Sequence, residues 1–323
     1  MSSGPVLVTG GAGYIGSILV RQLLGAGSRV RVLDRFLFGG DGLQGLDADE
    51  SLEVLHRDLR DPRAYGEVLE GVETVVHLAA IVGDKACAAD EERAVQTNWT
   101  ATIAFARAAE ARGVRRFVFA STCSVYGEGR DEVLTEDSPA KPLSLYAETR
   151  WHAERGLLEL VGHSAFEPIL LRFGTVYGLS PRMRFDLVVN LLARDAALKR
   201  AVTIFGGGQW RPFVHVVDIA RALAMAITEP LPEGAPILNV GDNLENYQLR
   251  DLKEEIEHSI PEARVRIEPG ATDPRTYRVS FDRIERLWGF RATKRVRDGL
   301  EEIAAAVRNG RIADPYDGKH VNA

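Results

Sequence analysis

Two hydrophobic periods alternate along the first half of the chain. Short runs of consecutive apolar residues predict buried strands, and apolar residues at helical spacing follow several of them. The predicted strands are 6–8, 29–33, 52–56, 74–78, 116–120 and 168–173, with helices over about 90–112 and 146–161. Strands that alternate with helices in this way predict an α/β protein with a doubly wound parallel sheet.

The alternation ends in the middle of the chain, where glycines and prolines interrupt it. These residues are Gly206, Gly207, Gly208, Pro230, Pro232 and Pro236. We predict a first domain over residues 1–178, to which 213–240 return as a strand and a helix. Residues 179–212 and 241–310 are predicted to form a smaller α/β region laid over the sheet, and 311–323 a loosely ordered tail.

A glycine-rich turn joins the first strand to the first helix. Gly10 permits a tight turn, Gly13 lets backbone approach a pyrophosphate, and Gly16 lets the helix pack against the strand. The helix N-terminus then offers unpaired N–H groups and a partial positive charge to the phosphates. Ordinary strand–helix turns also contain glycines, but here the strand and the helix are both in the right place. The sequence therefore predicts a Rossmann-type dinucleotide site, with Tyr14 and Ile15 in the same loop.

An acidic residue closes the second strand. Asp34 lies about 20 residues beyond the glycines, where a carboxylate accepts hydrogen bonds from ribose hydroxyls and repels a 2′-phosphate. This position favours NAD over NADP, although Arg35 could pair with a 2′-phosphate and Asp34 could be only a turn or cap residue. Asp58, followed by Leu59, could receive the adenine amino group or cap the next helix. Those two alternatives stay open.

Hydroxyl groups cluster after the fifth strand, where parallel sheets bind their ligands. Thr122 lies in this cluster, and Tyr146 and Arg150 share one face of the helix that follows. A cation close to a phenol favours the phenolate, which suits Tyr146 to proton transfer. Thr122 can donate a hydrogen bond to the oxygen that is oxidised or reduced. A Tyr-x-x-x-Arg pair alone is common on helix surfaces, so the position beside the other motifs carries this prediction.

Composition excludes several classes of protein. The 323 residues carry a formal net charge of -6 and no basic block, which argues against a nucleic-acid partner. Cys87 and Cys123 have no metal-binding or redox spacing, so we predict a reduced cytoplasmic protein without metal or disulfide. No apolar stretch approaches the ~20 residues of a spanning helix, so no membrane association is predicted.

In combination, these motifs resemble the extended short-chain dehydrogenases/reductases, and within them the nucleotide-sugar epimerase/dehydratase family typified by UDP-glucose 4-epimerase. The resemblance covers nearly the whole chain. It is carried by 9–16, Asp34, 58–59, 77–80, Asn98, 121–127, 146–150, 171–178 and 211–218.

The resemblance implies NAD as the cofactor and a nucleoside-diphosphate sugar as the substrate. Further cofactor contacts that it implies are Leu78, Ala79, Ala80, Asn98, Tyr146, Arg150 and Phe173. Tyr146 is then the acid/base that takes a sugar hydroxyl proton, with Thr122 as its hydrogen-bonding companion. Implied substrate contacts are Ser124, Thr175, Asn190, Arg211 and Arg275, with Arg211 gripping the diphosphate. Alternatively, Arg211 forms a surface salt bridge and Asn190 is a polar residue on a helix surface.

Four residues depart from the family pattern. Arg150 stands where the family has lysine, and the two are not interchangeable. The site has therefore adjusted and stays active, is weakly active, or binds NAD without turnover; we favour the first. Cys123 and Ser124 replace the Asp-Glu pair of the 4,6-dehydratases, so that elimination is not expected. Thr175 stands where many relatives have asparagine, which affects how the sugar or its phosphates are held.

These observations predict an NAD-dependent nucleotide-sugar epimerase. A keto-reductase or dehydrogenase of the same family is the main alternative, and a non-catalytic NAD sensor would also explain Arg150. A hydroxysteroid or flavonoid-type reductase shares the fold but needs no diphosphate clamp like Arg211. Relatives often dimerise through a four-helix contact, so a homodimer through the alanine-rich helix of residues 94–109 is predicted. Those alanines could equally pack inside the subunit.

Overall fold

The computed structural model describes residues 4–162, 165–230, 236–270 and 275–322, without the side chains of 130 and 131. The strands are β1 (Val6–Thr9), β2 (Val30–Asp34), β3 (Leu52–His56), β4 (Thr74–His77), β5 (Arg116–Thr122), β6 (Glu128–Leu134), β7 (Glu167–Phe173), β8 (Thr175–Tyr177), β9 (Ala201–Phe205), β10 (Trp210–His215), β11 (Ile237–Val240), β12 (Asn246–Gln248), β13 (Arg264–Glu268) and β14 (Thr276–Val279).

The helices cover both faces of the main sheet and fill the C-terminal region. They are α1 (Gly16–Gly25), α2 (Tyr65–Val68), α3 (Asp84–Ala89), α4 (Glu91–Val95), α5 (Thr102–Ala111), α6 (Leu145–Leu158), α7 (Val188–Lys199), α8 (Val216–Thr228), α9 (Leu252–Ser259), α10 (Asp282–Trp288) and α11 (Val296–Arg308). Short 3₁₀ turns connect several elements, and a π-helical turn over Gln96–Ala101 joins α4 to α5.

A seven-stranded parallel sheet forms the centre, in the order β11-β7-β5-β4-β1-β2-β3. Leu7 and Val8 point to opposite faces of β1 and are both completely buried, because helices cover both sides. The strand order reverses between β1 and β4, which is where open α/β sheets bind ligands. The predicted doubly wound Rossmann-type fold is confirmed, and β11 adds a seventh strand to the six predicted.

The alanine-rich stretch is helical as predicted, but a π-helical turn interrupts it. Asp90 caps its N-terminus by accepting a hydrogen bond from the Arg93 N–H at 3.0 Å. Ala94, Ala101, Ala106 and Ala109 are all buried within the subunit. These alanines therefore pack internally, which was the alternative to an intersubunit contact. A dimer contact through these alanines is therefore not supported, and the homodimer itself stays a prediction.

The C-terminal region is built around a second hydrophobic core, in which α7 packs against α9 and α11. Strands of two small sheets, β12-β10-β8 and β13-β9, contribute to this core, whereas a third small sheet, β14-β6, packs against the core of the main sheet. The predicted return of residues 213–240 is made by α8, which packs on α1, and by β11, whereas β10 belongs to a small sheet. Residues 231–235, within that predicted return, lie outside the described residues.

The tail predicted to be loosely ordered makes specific contacts instead. Lys319 Nζ lies 2.9 Å from Asp41 Oδ2, and Asn322 Nδ2 donates to the Val82 carbonyl at 3.3 Å. Asp41 follows β2 and Val82 follows β4, so this segment crosses the carboxyl end of β1, which lies between those strands. We call residues 314–322 the C-terminal strap. Residue 323 lies outside the described residues.

Candidate active site

The glycine loop lies at the carboxyl end of β1, against the end of β4. Gly10 has a φ of +73°, and a Cβ there would lie 2.8 Å from the Ala79 nitrogen. A Cβ on Gly16 would lie 2.3 Å from the Gly10 oxygen, so only glycine lets α1 begin this close to the turn. The tight turn at Gly10 and the close helix packing at Gly16 are therefore as predicted. The pyrophosphate contact of Gly13 stays a prediction.

Asp34 is held beside this loop at the end of β2. Its carboxylate accepts the N–H groups of Ala12 at 3.0 Å and Phe36 at 2.7 Å. Burial raises the pKa of Asp34, and these two backbone hydrogen bonds oppose the rise. The carboxylate is thus fixed next to the glycine loop, where a ribose diol is predicted to bind. A role for Asp34 in turn geometry alone does not explain its contact with Ala12, 22 residues away.

Arg35 and Asp58 are paired with each other. Arg35 Nε lies 3.3 Å from Asp58 Oδ2, and Arg60 Nη2 lies 2.7 Å from the same atom. Arg35 is therefore already partnered by a carboxylate rather than directed at a 2′-phosphate. Asp61, and not Asp58, caps the following turn by accepting the Arg63 N–H, so the capping alternative for Asp58 is wrong. Leu59 is buried beside it.

The segment after β4 is fixed by side chains on both sides. Ala79, between Leu78 and Ala80, donates its N–H to Thr9 Oγ1 at 3.2 Å. Asn98 accepts the Ile81 N–H at 2.8 Å and donates to the Ile81 carbonyl at 2.9 Å. Asn98 was predicted to sit near the nicotinamide. The structure shows it completely buried and holding the backbone that follows β4.

Arg150 is enclosed on α6 beneath Tyr146. Its side chain is 1% exposed, its guanidinium stacks on the Phe119 ring at 4.2 Å, and Nη2 donates to the Ala120 carbonyl. Among the described residues, Nε and Nη1 of Arg150 have no hydrogen-bond partner. A buried cation with unbonded donors is costly unless a ligand supplies the acceptors.

The electrostatics of Tyr146 differ from the prediction. Burial raises the pKa of its phenol, and the positive charges of Arg150 and Arg184 oppose this rise without reversing it. The sequence showed the cation four residues away but not the burial of the ring. Arg150 therefore acts in the predicted direction, while the net shift of the pKa is the opposite one.

Thr122 ends β5 with its hydroxyl oxygen accepting the Ser124 N–H at 3.1 Å, so its proton remains available for donation. Ser124 Oγ lies 3.3 Å from the hydroxyl of Tyr277 on β14, which brings the C-terminal region to the site. Burial raises the pKa of the Cys123 thiol well above its usual value. Cys123 and Ser124 therefore supply no strong acid or base, as predicted. Phe173 ends the neighbouring β7, paired in register with Thr122.

Arg211 and Arg275 lie together, away from the outer surface. Arg211 is 8% exposed and donates to the carbonyls of Trp210, at 2.8 Å, and of Arg275. The surface position that was the alternative for Arg211 is therefore wrong. Arg275 Nη1 lies 2.6 Å from Asp84 Oδ2 at the start of α3. Residues 271–274, just before Arg275, lie outside the described residues.

Asn190 links the C-terminal region to the glycine loop. It is completely buried on α7, and its amide accepts the Gly178 N–H at 2.9 Å. It also donates to the Tyr14 hydroxyl at 3.1 Å and to the Arg184 carbonyl at 2.9 Å. The surface alternative is therefore wrong, because the amide is buried and joins α7 to the glycine loop. The substrate contact of Asn190 stays a prediction. Thr175 lies on β8, half-buried and paired with Phe213.

Sequence reasoning missed two arginines. Arg182 and Arg184 follow β8, and both are at least nine-tenths buried. Arg184 forms an ion pair with Asp186 at 2.5 Å, whereas Nε and Nη2 of Arg182 have no partner among the described residues. The signal was present: two arginines in the run 181–186, just after a strand that leads to the sheet edge.

The residues at this edge fit the predicted NAD. The glycine loop leaves room for a diphosphate, Asp34 is placed for a ribose, and Arg150 keeps two donors unbonded. Within the described ranges, no three His, Cys, Asp or Glu side chains are grouped to hold a metal ion. No helix in the described part of the chain has the length and apolar content to cross a bilayer.

Comparison with known proteins identifies relatives over most of the chain. Residues 6–241 match the NAD dependent epimerase/dehydratase family. UDP-glucuronic acid decarboxylase 1 from Arabidopsis thaliana is 28% identical over 325 residues, covering 97% of this chain and 72% of that protein.

Two solved structures are similar along nearly their whole length. MoeE5 in complex with UDP-glucuronic acid and NAD shares 31% identity at a TM-score of 0.82, covering 95% of this chain and 100% of that one. UDP-glucuronic acid 4-epimerase from Bacillus cereus, in complex with UDP-glucuronic acid and NAD, shares 25% identity at a TM-score of 0.84, covering 94% and 99%.

Proposed function

We propose, from the premise that this chain belongs to the NAD dependent epimerase/dehydratase family, that it is an NAD-dependent nucleotide-sugar epimerase. The observation that carries the proposal is Arg150, which lies beneath Tyr146 with two buried donors unbonded. If Arg150 had only a structural role, its guanidinium would be expected to bond to acceptors inside the protein. Instead, Nε and Nη1 have no acceptor among the described residues. The hydroxyl groups of the nicotinamide ribose could accept hydrogen bonds from them.

Tyr146 is the acid/base. Its oxygen takes the proton of a sugar hydroxyl and later returns it, while Thr122 donates a hydrogen bond to the same sugar oxygen. When bound beside the glycine loop, Asp34 and Arg150, NAD would supply the hydride acceptance and return by which the sugar carbon is oxidised and then reduced on its opposite face. Burial raises the pKa of Tyr146, and the positive charges of Arg150 and Arg184 oppose this rise, so they favour the phenolate form that accepts the proton.

Arginine in place of the family's lysine is accommodated by β5. The Ala120 carbonyl binds one end of the guanidinium and the Phe119 ring supports its plane, so the longer side chain has a fixed position. This supports the adjusted, active site over a site that binds NAD without turnover. An ammonium would need no such support.

NAD is favoured over NADP by the pairing of Arg35 with Asp58, which leaves Asp34 as the group beside the predicted ribose. A cofactor that stays bound through the cycle suits an epimerase better than a reductase. The 4,6-dehydratase reaction is disfavoured because Cys123 and Ser124 are poor acids and bases. Arg211, with Arg275 beside it, is placed to hold the sugar nucleotide's diphosphate.

A uronate sugar is a second candidate substrate, favoured by Arg184. This arginine acts electrostatically on both Tyr146 and Tyr14, so it lies at the reactive end of the crevice. MoeE5 and the Bacillus cereus 4-epimerase were both solved with UDP-glucuronic acid. A sugar carboxylate would find a cationic partner there, in competition with Asp186.

The test is product analysis with UDP-, TDP-, GDP- and CDP-sugars, including UDP-glucose and UDP-glucuronic acid. We expect NMR to show a stereoisomer of one nucleotide sugar without net NADH, and no product from Tyr146→Phe. If UDP-glucuronic acid is the substrate, Arg184→Met should raise KM for it more than for UDP-glucose. Net NADH, decarboxylation, or no turnover by either wild type or Arg150→Lys would contradict the epimerase proposal.

A homodimer in the cytoplasm completes the proposal. Trp99, in the π-helical turn before α5, is 37% exposed and stacks on the ring of His152 on α6 at 4.4 Å. An aromatic pair of this kind is typical of protein interfaces. Light scattering on the eluting protein should give twice the chain mass, and Trp99→Ser should give the monomer.

A further inference from the structure

Arg182 reaches the crevice from the C-terminal region. Two residues before it, Ser180 Oγ bonds to Ser17 Oγ at 2.9 Å and to the Tyr14 carbonyl at 2.7 Å. Ser17 lies in the first turn of α1, directly after the glycine loop. The segment that carries Arg182 is therefore fastened to the N-terminal end of the helix where a dinucleotide diphosphate is predicted.

The Arg182 side chain is buried, charged and incompletely bonded. It is 4% exposed, and its guanidinium stacks on the Phe38 ring at 4.0 Å. Nε and Nη2 are buried without a hydrogen-bond partner among the described residues. Burial and the neighbouring Arg184 lower the pKa of Arg182 to about 10, while Asp186 and Asp34 oppose this, so the group stays cationic near neutral pH.

The surroundings indicate what Arg182 binds. Asp34 is close enough to act on it electrostatically, and Asp34 is placed for the adenosine ribose. The unbonded guanidinium of Arg182 lies between that ribose position and α1, so it is suited to bind an anion. A diphosphate can accept hydrogen bonds from the two parallel N–H groups of a planar guanidinium. We propose that Arg182 binds the diphosphate of the dinucleotide, in addition to the glycine loop. This inference rests on the proposed function, since it takes the dinucleotide site as given.

The C-terminal strap lies over the same place. The Phe185 N–H donates to the His320 carbonyl at 2.8 Å, and the His320 ring packs against Phe185 at 5.7 Å. Arg182 is one of the charges that act on His320, so the two side chains are near neighbours. A dinucleotide bound to Arg182 is therefore covered by a segment from the far end of the chain, which favours its retention through the reaction cycle.

The experiment measures binding by calorimetry with protein freed of copurified dinucleotide. Arg182→Met keeps the stacking on Phe38 but removes the donors. We expect it to weaken binding of NAD and of ADP about 10- to 100-fold and to leave adenosine binding unchanged. Arg182→Lys should recover part of the loss. Arg311→Met, at an exposed arginine, is the matched control and should bind like wild type.

Several results would overturn the inference. Equal binding of ADP by wild type and Arg182→Met means that the diphosphate does not touch Arg182. A loss confined to NADP assigns it to a 2′-phosphate, and a loss confined to UDP assigns it to the sugar nucleotide. Failure of the proposed function can be distinguished from failure of this inference. If wild type binds NAD but converts no sugar, the epimerase proposal fails while the diphosphate contact of Arg182 still stands. Folded wild type that binds no dinucleotide contradicts both.

Discussion

Two groups of buried arginines in this protein differ in how they are bonded. In the core network, Arg172 forms three hydrogen bonds with the Glu154 carboxylate and a fourth with the Tyr126 hydroxyl at 3.1 Å. Arg150 lies one turn before Glu154 on the same helix, yet two of its three nitrogens are unbonded, as are two of Arg182.

The difference separates structural charge from functional charge. Arg172 sits between β5, β7 and α6 with its donors satisfied inside the protein, so removing a partner harms the fold. Arg150 and Arg182, the crevice arginines, leave donors open at the carboxyl edge of the sheet, so removing them should harm binding more than folding. Burial alone does not distinguish the two groups, because Arg150 is as buried as any side chain here.

Breaking the core network should have the largest effect on stability. Arg172→Met leaves the Glu154 carboxylate buried without its partner, and we expect the free energy of unfolding to fall by about 3–5 kcal/mol. Urea unfolding at neutral pH measures it. Adding Glu154→Leu should recover most of the loss, since no charge then stays buried alone. A double variant no more stable than the single one would contradict this assignment.

Replacing a crevice arginine should have the opposite effect, lowering activity without lowering stability. We expect Arg150→Met to lower kcat by about 100-fold or more, because the charge that promotes proton transfer at Tyr146 is lost. Its free energy of unfolding should stay the same or rise, since an incompletely bonded buried charge is removed. Urea unfolding and steady-state rates on one preparation separate the two effects. If Arg150→Met lowered the free energy of unfolding as much as Arg172→Met does, the distinction between structural and functional arginines would be contradicted.

A buried histidine, His77, shows the effect of full bonding inside the protein at a smaller scale. His77 lies 2.9 Å from Thr9 Oγ1 and 3.0 Å from Thr102 Oγ1, and burial lowers its pKa from 6.5 to about 3. The unfolded chain therefore binds more protons between those values. This residue should remove up to about 1.4 kcal/mol of stability per pH unit as pH falls through that window.

Comparison with His77→Gln isolates this contribution. The variant loses the titration but keeps an amide able to bond to one threonine. We expect the gap in stability between wild type and His77→Gln to narrow as pH falls from about 6.5 toward 3. A gap that stays constant with pH would show that His77 is not held neutral.

Local spacing made half of the site predictable. Gly10, Asp34 and the pair Tyr146–Arg150 act within one or two elements, so their separation along the chain decides their separation in space. The central sheet was predictable for the same reason, because each strand is marked in the sequence by its own run of apolar residues. Even there, the pKa of Tyr146 depends on what covers the ring, which spacing does not show.

Long-range contacts made the other half unpredictable. Lys319 and Asp41 are 278 residues apart, and Asn190 meets Tyr14 across 176. No periodicity relates such pairs, so the sequence predicts a loose tail and gives no sign that Asn190 joins α7 to the glycine loop. Arg182 was missed because its function depends on having no partner, and only the fold reveals that a donor is unbonded.

The fate of the hydrogen on the oxidised sugar carbon tests the central claim most directly. A nucleotide sugar converted by the enzyme would be deuterated at its ring carbons and followed by NMR, with the near-ultraviolet absorbance of reduced nicotinamide recorded alongside. We expect two interconverting stereoisomers, both retaining the deuterium, with no net reduced cofactor and no reaction in Tyr146→Phe. Deuterium lost to water, or reduced cofactor accumulating with product, would contradict it.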